Sequence, residues 1–223
     1  MQDPQPFLPK KGNYRKLLVY QKAECIYDIT FFFTSKFLVG AKDRTVDQMV
    51  QAARSGKQNI AEGSAAAATS SETELKLMNV ARASMQELLT DYEDYLRVRS
   101  LTLWPVDDAR TRQTQSFCRD HNDSASYMAA IQQRSDETIA NIAITLIHQF
   151  DGLMGKLITR LETDFVEQGG IRERMTAARL GYRGGQKEEI ARLAHENEAL
   201  QNYCNQLKAR IAELEAQLKG GQA

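Results

Sequence analysis

Apolar residues recur at three- and four-residue steps along most of this chain, the repeat of helices that each bury one face. From Arg15 to Leu38 the positions Leu17, Leu18, Ile26, Tyr27, Phe31, Phe33 and Phe37 follow that rhythm, and Gly40 stands where a helix would close. Asp43 is placed to cap a second helix whose stripe runs through Val46, Met49, Val50, Ala53 and Ile60. That segment is rich in small residues, among them Ala52, Ala53, Ser55, Gly56, Ala61 and Gly63, and a slender helix lets a neighbour come close. Gly56 costs about 1 kcal/mol against Ala in a helix interior, so its presence implies a packing or binding reason. Ser70 or Ser71 followed by Glu74 has the pattern of a capping box opening a third helix. Its stripe of Leu75, Met78, Ala81, Met85, Leu88, Leu89, Tyr92 and Leu96 runs to about Ser100, and Trp104-Pro105 ends it.

Residues 106 to 133 are polar, with Phe117, Tyr127, Met128 and Ile131 as the large apolar anchors, and predict one or two short, less firmly docked helices. From about Asp136 the strongest stripe of the chain begins: Ile139, Ile142, Ala143, Leu146, Ile147, Phe150, Leu153, Met154, Leu157, Ile158 and Leu161, ending before Gly169-Gly170. Four long helices, each with one face to hide, predict an all-α fold built on an antiparallel up-down four-helix bundle. The expected organisation is a mobile N-terminal arm over 1–13 and the bundle over 14–170, with an enlarged connection at about 101–133. A basic segment with a Gly-Gly hinge follows over 171–185, and a coiled coil over 186–219.

The coiled coil has the most specific periodicity. Ile190, Leu193, Asn197, Leu200, Cys204, Leu207, Ile211, Leu214 and Leu218 alternate steps of three and four without a miss, with a positions at 190, 197, 204, 211 and 218 and Leu at each d between them. Asn197 at a points to a parallel, in-register dimer or small oligomer, since its amide is satisfied by the same residue of a partner. Arg210 at g and Glu215 at the next e can pair between chains in that register. Gly184-Gly185 reads as the break between this repeat and the basic segment.

Composition narrows the class further. With 13 Gly and 4 Pro in 223 residues there is little room for an all-β fold. Lys plus Arg total 29 and so do Asp plus Glu, which excludes a globally basic nucleic-acid binder. A mean hydropathy of −0.49 and the lack of an apolar run near the span length predict a soluble protein. Met1 to Lys11 has no charged start and apolar core, so no secretion signal is expected. Cys25, Cys118 and Cys204 are odd in number and widely spaced, which suits a reducing, cytoplasmic setting.

Catalytic motifs are wanting: there is no Gly-rich phosphate loop, HExxH, CxxC pair or GxSxG elbow, and the three histidines 121, 148 and 195 are scattered. Cys118 and His121 offer two metal-capable groups without a second pair, so no metal and no cofactor is expected. Asp91, Glu93 and Asp94 read as a solvated acidic face, and His148 as a core or rim histidine. The expectation is a protein without enzymatic activity. Asn59 and Glu62, polar groups among Ala, Ile and Gly, are placed to lock a helix end or to bond across helices.

These residues also carry a family resemblance. Gln48, Ala52, Ala53, Ser55 and the run Asn59-Ile60-Ala61-Glu62-Gly63, followed by residues 76–88 (KLMNVARASMQEL), resemble the signature of the four-helix-bundle proteins named for intervening sequences of bacterial 23S ribosomal RNA genes. Tyr20-Gln21-Lys22-Ala23 is similar to that family's first-helix motif, and residues 165–174 resemble the ending of its four-helix-bundle suffix domain subgroup. Gly56 stands where the family commonly has Ile or Val. The resemblance implies a bacterial up-down bundle that assembles into a ring-like homo-oligomer, often a pentamer, without enzymatic activity, with Gln48, Asn59, Glu62 and Gly63 as its structural signature. A relative, the accessory variability determinant of diversity-generating retroelements, is such a pentamer and binds a reverse transcriptase and nucleic acid through basic surfaces.

Charge is locally uneven. Lys10, Lys11, Arg15, Lys16 and Lys22 cluster at the start, Lys42, Arg44, Arg54 and Lys57 on the second helix, and Arg172, Arg174, Arg179 and Arg183 before the coil. Of these, Arg15, Lys16, Lys22, Arg54, Lys57 and the last four are candidate phosphate contacts, and an oligomer multiplies such contacts. The sequence therefore predicts a self-associating scaffold or adaptor whose coil engages the same chain or a protein partner, with no membrane role. The alternative is an accessory RNA- or DNA-binding oligomer acting with a nucleic-acid enzyme such as a reverse transcriptase.

Overall fold

A computed structural model describes residues 13–38 and 44–220, with side chains throughout except at 168, 171 and 214–220. The expected arm, apart from Asn13, therefore lies outside the described residues, as do Gly40, Lys42 and Asp43 and the side chains of Leu214 and Leu218. The protein is all-α. A 3-10 turn, Tyr14–Lys16, is opened by Asn13, whose side chain accepts from the Arg15 amide at 3.2 Å. Helices follow as α1 (Leu18–Phe37), α2 (Arg44–Ala66), α3 (Ser71–Val98), α4 (Ala109–Asp120), α5 (Ser124–Ile131), α6 (Asp136–Gln168) and α7 (Ile171–Gly220). Among the described residues no helix is long and apolar enough to cross a membrane.

Four of the helices, α3 to α6, start where side chains supply the missing acceptors. Ser70 accepts from the Thr73 amide at 3.1 Å, Asp108 from Arg110 at 2.7 Å, Asp123 from Ser126 at 2.8 Å and Ser135 from Thr138 at 3.3 Å. With Ser70 as N-cap, Thr73 rather than Glu74 holds the third helical position, so the cap forms without the carboxylate of the expected box.

Four long helices close a circuit in which α1 contacts α2, α2 contacts α3, α3 contacts α6 and α6 returns to α1. The core between them is aromatic at one level. Phe33 lies 5.1 Å from the Tyr92 ring and 4.8 Å from Tyr95, and the buried Tyr92 hydroxyl donates to Thr30 Oγ1 at 3.1 Å. Thr30 in turn donates to the Ile26 carbonyl at 2.7 Å, so the buried hydroxyls are satisfied in series.

At the α2–α3 contact the expected reason for the small residues is visible. A Cβ on Gly56 would lie 2.5 Å from Met85 Cε, and one on Gly63 would lie 3.3 Å from Leu77 Cβ and 3.4 Å from the Glu74 carbonyl oxygen. The two helices occupy the volume that side chains at 56 and 63 would need.

Three sequence expectations are corrected. The third helix ends at Val98, close to the expected Ser100, but it is Ser100, turning left-handed at φ 55°, that stops it and not Trp104-Pro105. The Ser100 amide then donates to Arg97 O at 3.2 Å and the Leu101 amide to Leu96 O at 2.9 Å, a Schellman closure. The connection beyond it is not loosely docked, since Cys118, Tyr127 and Ile131 are fully buried, α4 packs on α6 and α5 on α1. Asn141 of α6 pins residues 102–104, accepting from the Trp104 amide and donating to the Thr102 carbonyl, both at 2.8 Å.

The third correction concerns the Gly-Gly hinge. Gly184 and Gly185 lie inside α7, which runs as one helix of 50 residues. Their amides and carbonyls keep the helical ladder, whose neighbouring residues favour it, and the penalty of about 1 kcal/mol per Gly is too small to break it. The chain divides into two compact units between Ile171 and Arg172.

Candidate functional site

The candidate interaction surface is the heptad stripe of α7. In the single chain Ile190, Leu193, Leu200, Leu207 and Ile211 are between 44% and 66% exposed, and Asn197 and Cys204 are exposed with them. Their steps of three and four place them on one face of a straight helix. Because α7 is unbroken at 184–185, the same phase extends backwards: Arg183 is seven residues before Ile190, and Arg179 and Arg172 precede it by four and eleven. All three arginines are exposed, whereas Arg174 is partly buried. An apolar seam thus passes into an arginine seam on the same face, a continuity hidden from the sequence by the expected break.

The structural signature is placed in α2. Gln48 is exposed and borders a polar groove of about 700 Å³ between α2 and α3, together with Arg44, Ser55, Ser84, Glu87 and Asp91. Asn59 does not terminate the helix, which continues to Ala66. Its amide donates to the Ser55 carbonyl at 2.8 Å and to the Ser55 hydroxyl at 3.1 Å, and Ser55 Oγ meets Ser84 Oγ of α3 at 3.0 Å. Asn59 therefore bonds across to α3 through Ser55. Glu62 is exposed, and Gly63 is buried under α3.

Asp91, Glu93 and Asp94 of α3 do not share one solvated face. Asp91 borders the α2–α3 groove, where burial, and then Asp94 and Glu87, raise its carboxyl above the usual range. Asp94 is exposed and pairs with Arg97 at 2.7 Å. Glu93 borders a different cavity, described below.

Of the candidate basic residues in the first unit, Arg15, Lys16 and Arg54 are exposed, and Lys57 sits 4.3 Å from the Tyr27 ring centroid as a cation on an aromatic face. Lys22 leaves this set. It is 2% exposed, and its ammonium donates to the carbonyl oxygens of Cys118 and His121, the latter at 2.8 Å, and to the Tyr127 hydroxyl at 3.4 Å. These carbonyls lie at the C-terminal end of α4, where the unpaired carbonyls and the helix dipole favour a cation. Burial lowers the Lys22 ammonium below the usual lysine range. A lysine read as a surface charge thus holds α4 to α1. Periodicity gave some warning, because residue 22 falls on the buried side between Val19, Ala23 and Ile26.

Cys118 and His121 are likewise committed to structure. His121 Nδ1 lies 3.0 Å from the Phe117 carbonyl oxygen, its ring stacks on Phe117 at 4.2 Å, and Cys118 is buried. Among the described residues no group of three His, Cys, Asp or Glu could hold a metal ion. Compared with known proteins, the chain matches no family model, no curated protein and no solved structure.

Proposed function

We propose that the protein is a self-associating scaffold or adaptor without enzymatic activity, an up-down four-helix bundle over residues 14–170 whose C-terminal helix joins copies through a parallel coiled coil. The observation that carries this reading is the exposed heptad stripe from Ile190 to Ile211 on a helix of 50 residues. Burying a Leu or Ile side chain fully is worth about 1.5–3 kcal/mol, so several such positions per chain favour association at modest concentration. Asn197 sets register by meeting Asn197 of another copy, and an Asn at an a position favours few strands. The resemblance of residues 48–63 and 76–88 to ring-forming four-helix-bundle proteins supports self-association from a second direction.

Native mass spectrometry of the full-length protein and of a Leu193→Glu, Leu200→Glu variant tests the reading. A homo-oligomer that the double variant reduces to monomer supports it; a wild-type protein that is monomeric at micromolar concentration sinks it.

The accessory nucleic-acid reading is favoured by one observation, the in-phase exposed arginines 172, 179 and 183. A parallel assembly would gather them from every copy at the mouth of the coil, and counterion release grows with the number of phosphate contacts. Protein purified without nuclease would then carry RNA or DNA that high salt removes. Alanine at the three positions would abolish that retention, and a nucleic-acid-free preparation speaks against this reading.

A further inference from the structure

A cavity of about 580 Å³ opens between α1, α4, α6 and the strap that follows α3, a volume within the range of small-molecule sites. Its apolar lining is Leu18, Leu103, Trp104, Val106, Ile144 and Leu153. Three of these stay in water, with Leu18 40%, Leu103 49% and Val106 81% exposed, which gives the cavity an apolar mouth. Its charged lining is unbalanced: Lys22, Arg119 and Lys156 stand against Glu93 alone. The Lys22 ammonium is committed to the end of α4, and among the described residues no carboxylate pairs with Arg119 or Lys156.

Two further features mark the lining. The indole nitrogen of Trp104 and the side-chain oxygen of Asn122, both on lining residues, are buried without a hydrogen-bond partner among the described residues, a donor and an acceptor left open. Gly152 of α6, exposed at the edge of the cavity, also borders it, and a Cβ there would meet nothing within 4 Å. Gly56 and Gly63 make room for α3, but Gly152 makes room for no protein atom, although Gly costs a helix about 1 kcal/mol against Ala.

We propose that this cavity binds a small amphipathic anion, an aromatic or acyl body carrying one carboxylate or sulfonate, with Arg119 and Lys156 taking the charged head and the face of α6 around Gly152 taking the body. The imbalance of charge selects the sign of the head, and the apolar mouth selects the body. All of its lining residues lie between Leu18 and Lys156, in the first unit.

The probe is anilinonaphthalene sulfonate, titrated into the full-length protein by fluorescence and displaced with sodium decanoate. Saturable binding at one site per chain, competed by decanoate, is expected. Gly152→Trp should weaken it about tenfold or more by filling the cavity, with no loss of thermal stability, since the new side chain enters open space. Arg119→Glu with Lys156→Glu changes two exposed positions and should weaken binding about fivefold and flatten its salt dependence. Binding that is absent, that survives both sets of changes, or that is lost in Leu193→Glu, Leu200→Glu while surviving Gly152→Trp would overturn the proposal. Should Gly152→Trp lower stability, the charge-reversal pair decides by itself.

Discussion

The ammonium of Lys22 donates to the carbonyl oxygen of His121 at 2.8 Å, tying the first long helix to the end of α4 almost a hundred residues later. No carboxylate takes part in this contact; the buried cation is held by carbonyl oxygens and the negative end of a helix dipole.

Replacing Lys22 by Met keeps most of the stem volume and removes the donor, leaving the Cys118 and His121 carbonyls unmet. A loss of about 1–3 kcal/mol is expected. Lys22→Ala should lose about 2 kcal/mol more through the cavity it leaves. Burial holds the folded-state pKa of Lys22 below the ordinary 10.5, so the unfolded chain binds more protons between the two values. The contribution of Lys22 therefore grows as pH rises through that window, and the stability gap between wild type and Lys22→Met widens from neutral to alkaline pH. Urea unfolding of both proteins checks this; a gap that narrows with rising pH contradicts the assignment.

Gly56 and Met85 share one volume. Gly56→Ala should be mildly destabilising, because its Cβ would lie 2.5 Å from Met85 Cε and 3.0 Å from Met85 Cγ, which offsets the gain of about 1 kcal/mol in helix propensity. Gly56→Leu overpacks and should cost about 1–3 kcal/mol. Met85→Ala in the same chain should recover at least part of that loss, giving a favourable coupling in a double-mutant cycle of chemical denaturation. Additive losses would show that the two side chains do not compete.

Asp151 of α6 accepts from Arg82 Nε at 2.7 Å, Arg82 Nη2 at 2.9 Å and Gln86 Nε2 at 2.9 Å, all from α3. The Arg82 guanidinium, ahead of Gln86, holds the Asp151 carboxyl below the usual range. Its stabilisation is present above the unfolded-state pKa and fades as pH falls through the folded one. Asp151→Asn should cost about 1 kcal/mol at neutral pH, as befits a partly exposed pair, and nothing measurable once acid protonates the carboxyl. Denaturation midpoints across that pH range give the comparison, and a deficit that persists in acid argues for a packing role instead.

Cys25 and Cys118 are buried while Cys204 is exposed on the heptad face, and burial pushes the Cys25 thiol up to about 12. Brief iodoacetamide treatment should therefore spare Cys25 and Cys118, and should reach Cys204 faster in Leu193→Glu, Leu200→Glu than in the wild type, where the proposed coil covers it, as peptide mass spectrometry would show. In a parallel, in-register coil Cys204 faces its counterpart, so mild oxidation should yield a disulfide between two copies of residue 204. Failure to crosslink would indicate an antiparallel coil or another register.

Much of the fold was legible because amphipathic stripes are local. Ile139 to Ile158 announces α6, and the small residues from Ala52 to Gly63 announce a close neighbour, which Met85 and Met78 then supply. What escaped depends on partners remote in sequence. Lys22 reads as surface charge until α4 arrives to supply its acceptors, and residues 106–133 read as loosely held because their polar composition hides that Cys118, Tyr127 and Ile131 each reach the core. The stop of α3 was credited to Trp104-Pro105 since a non-glycine in the left-handed region, Ser100, carries no signal as plain as Pro105. Gly184-Gly185 misled in the opposite direction, by looking like a break inside a helix that continues. The cavity beside Gly152 is invisible in one dimension, because its walls come from four separate stretches of chain.

The circuit of long helices also imposes an order of events during synthesis. α1 meets α2 early and α5 later, but α6, its other neighbour in the circuit, is made last, so part of the cover of α1 waits through about a hundred residues of translation. α7 follows with 50 residues, about 3–10 seconds of synthesis at ordinary rates, during which the first unit can complete its core. On the reading proposed above, in which the heptad face of α7 joins copies, that face would emerge only after the bundle core has been put away, and the order of manufacture would separate folding from assembly.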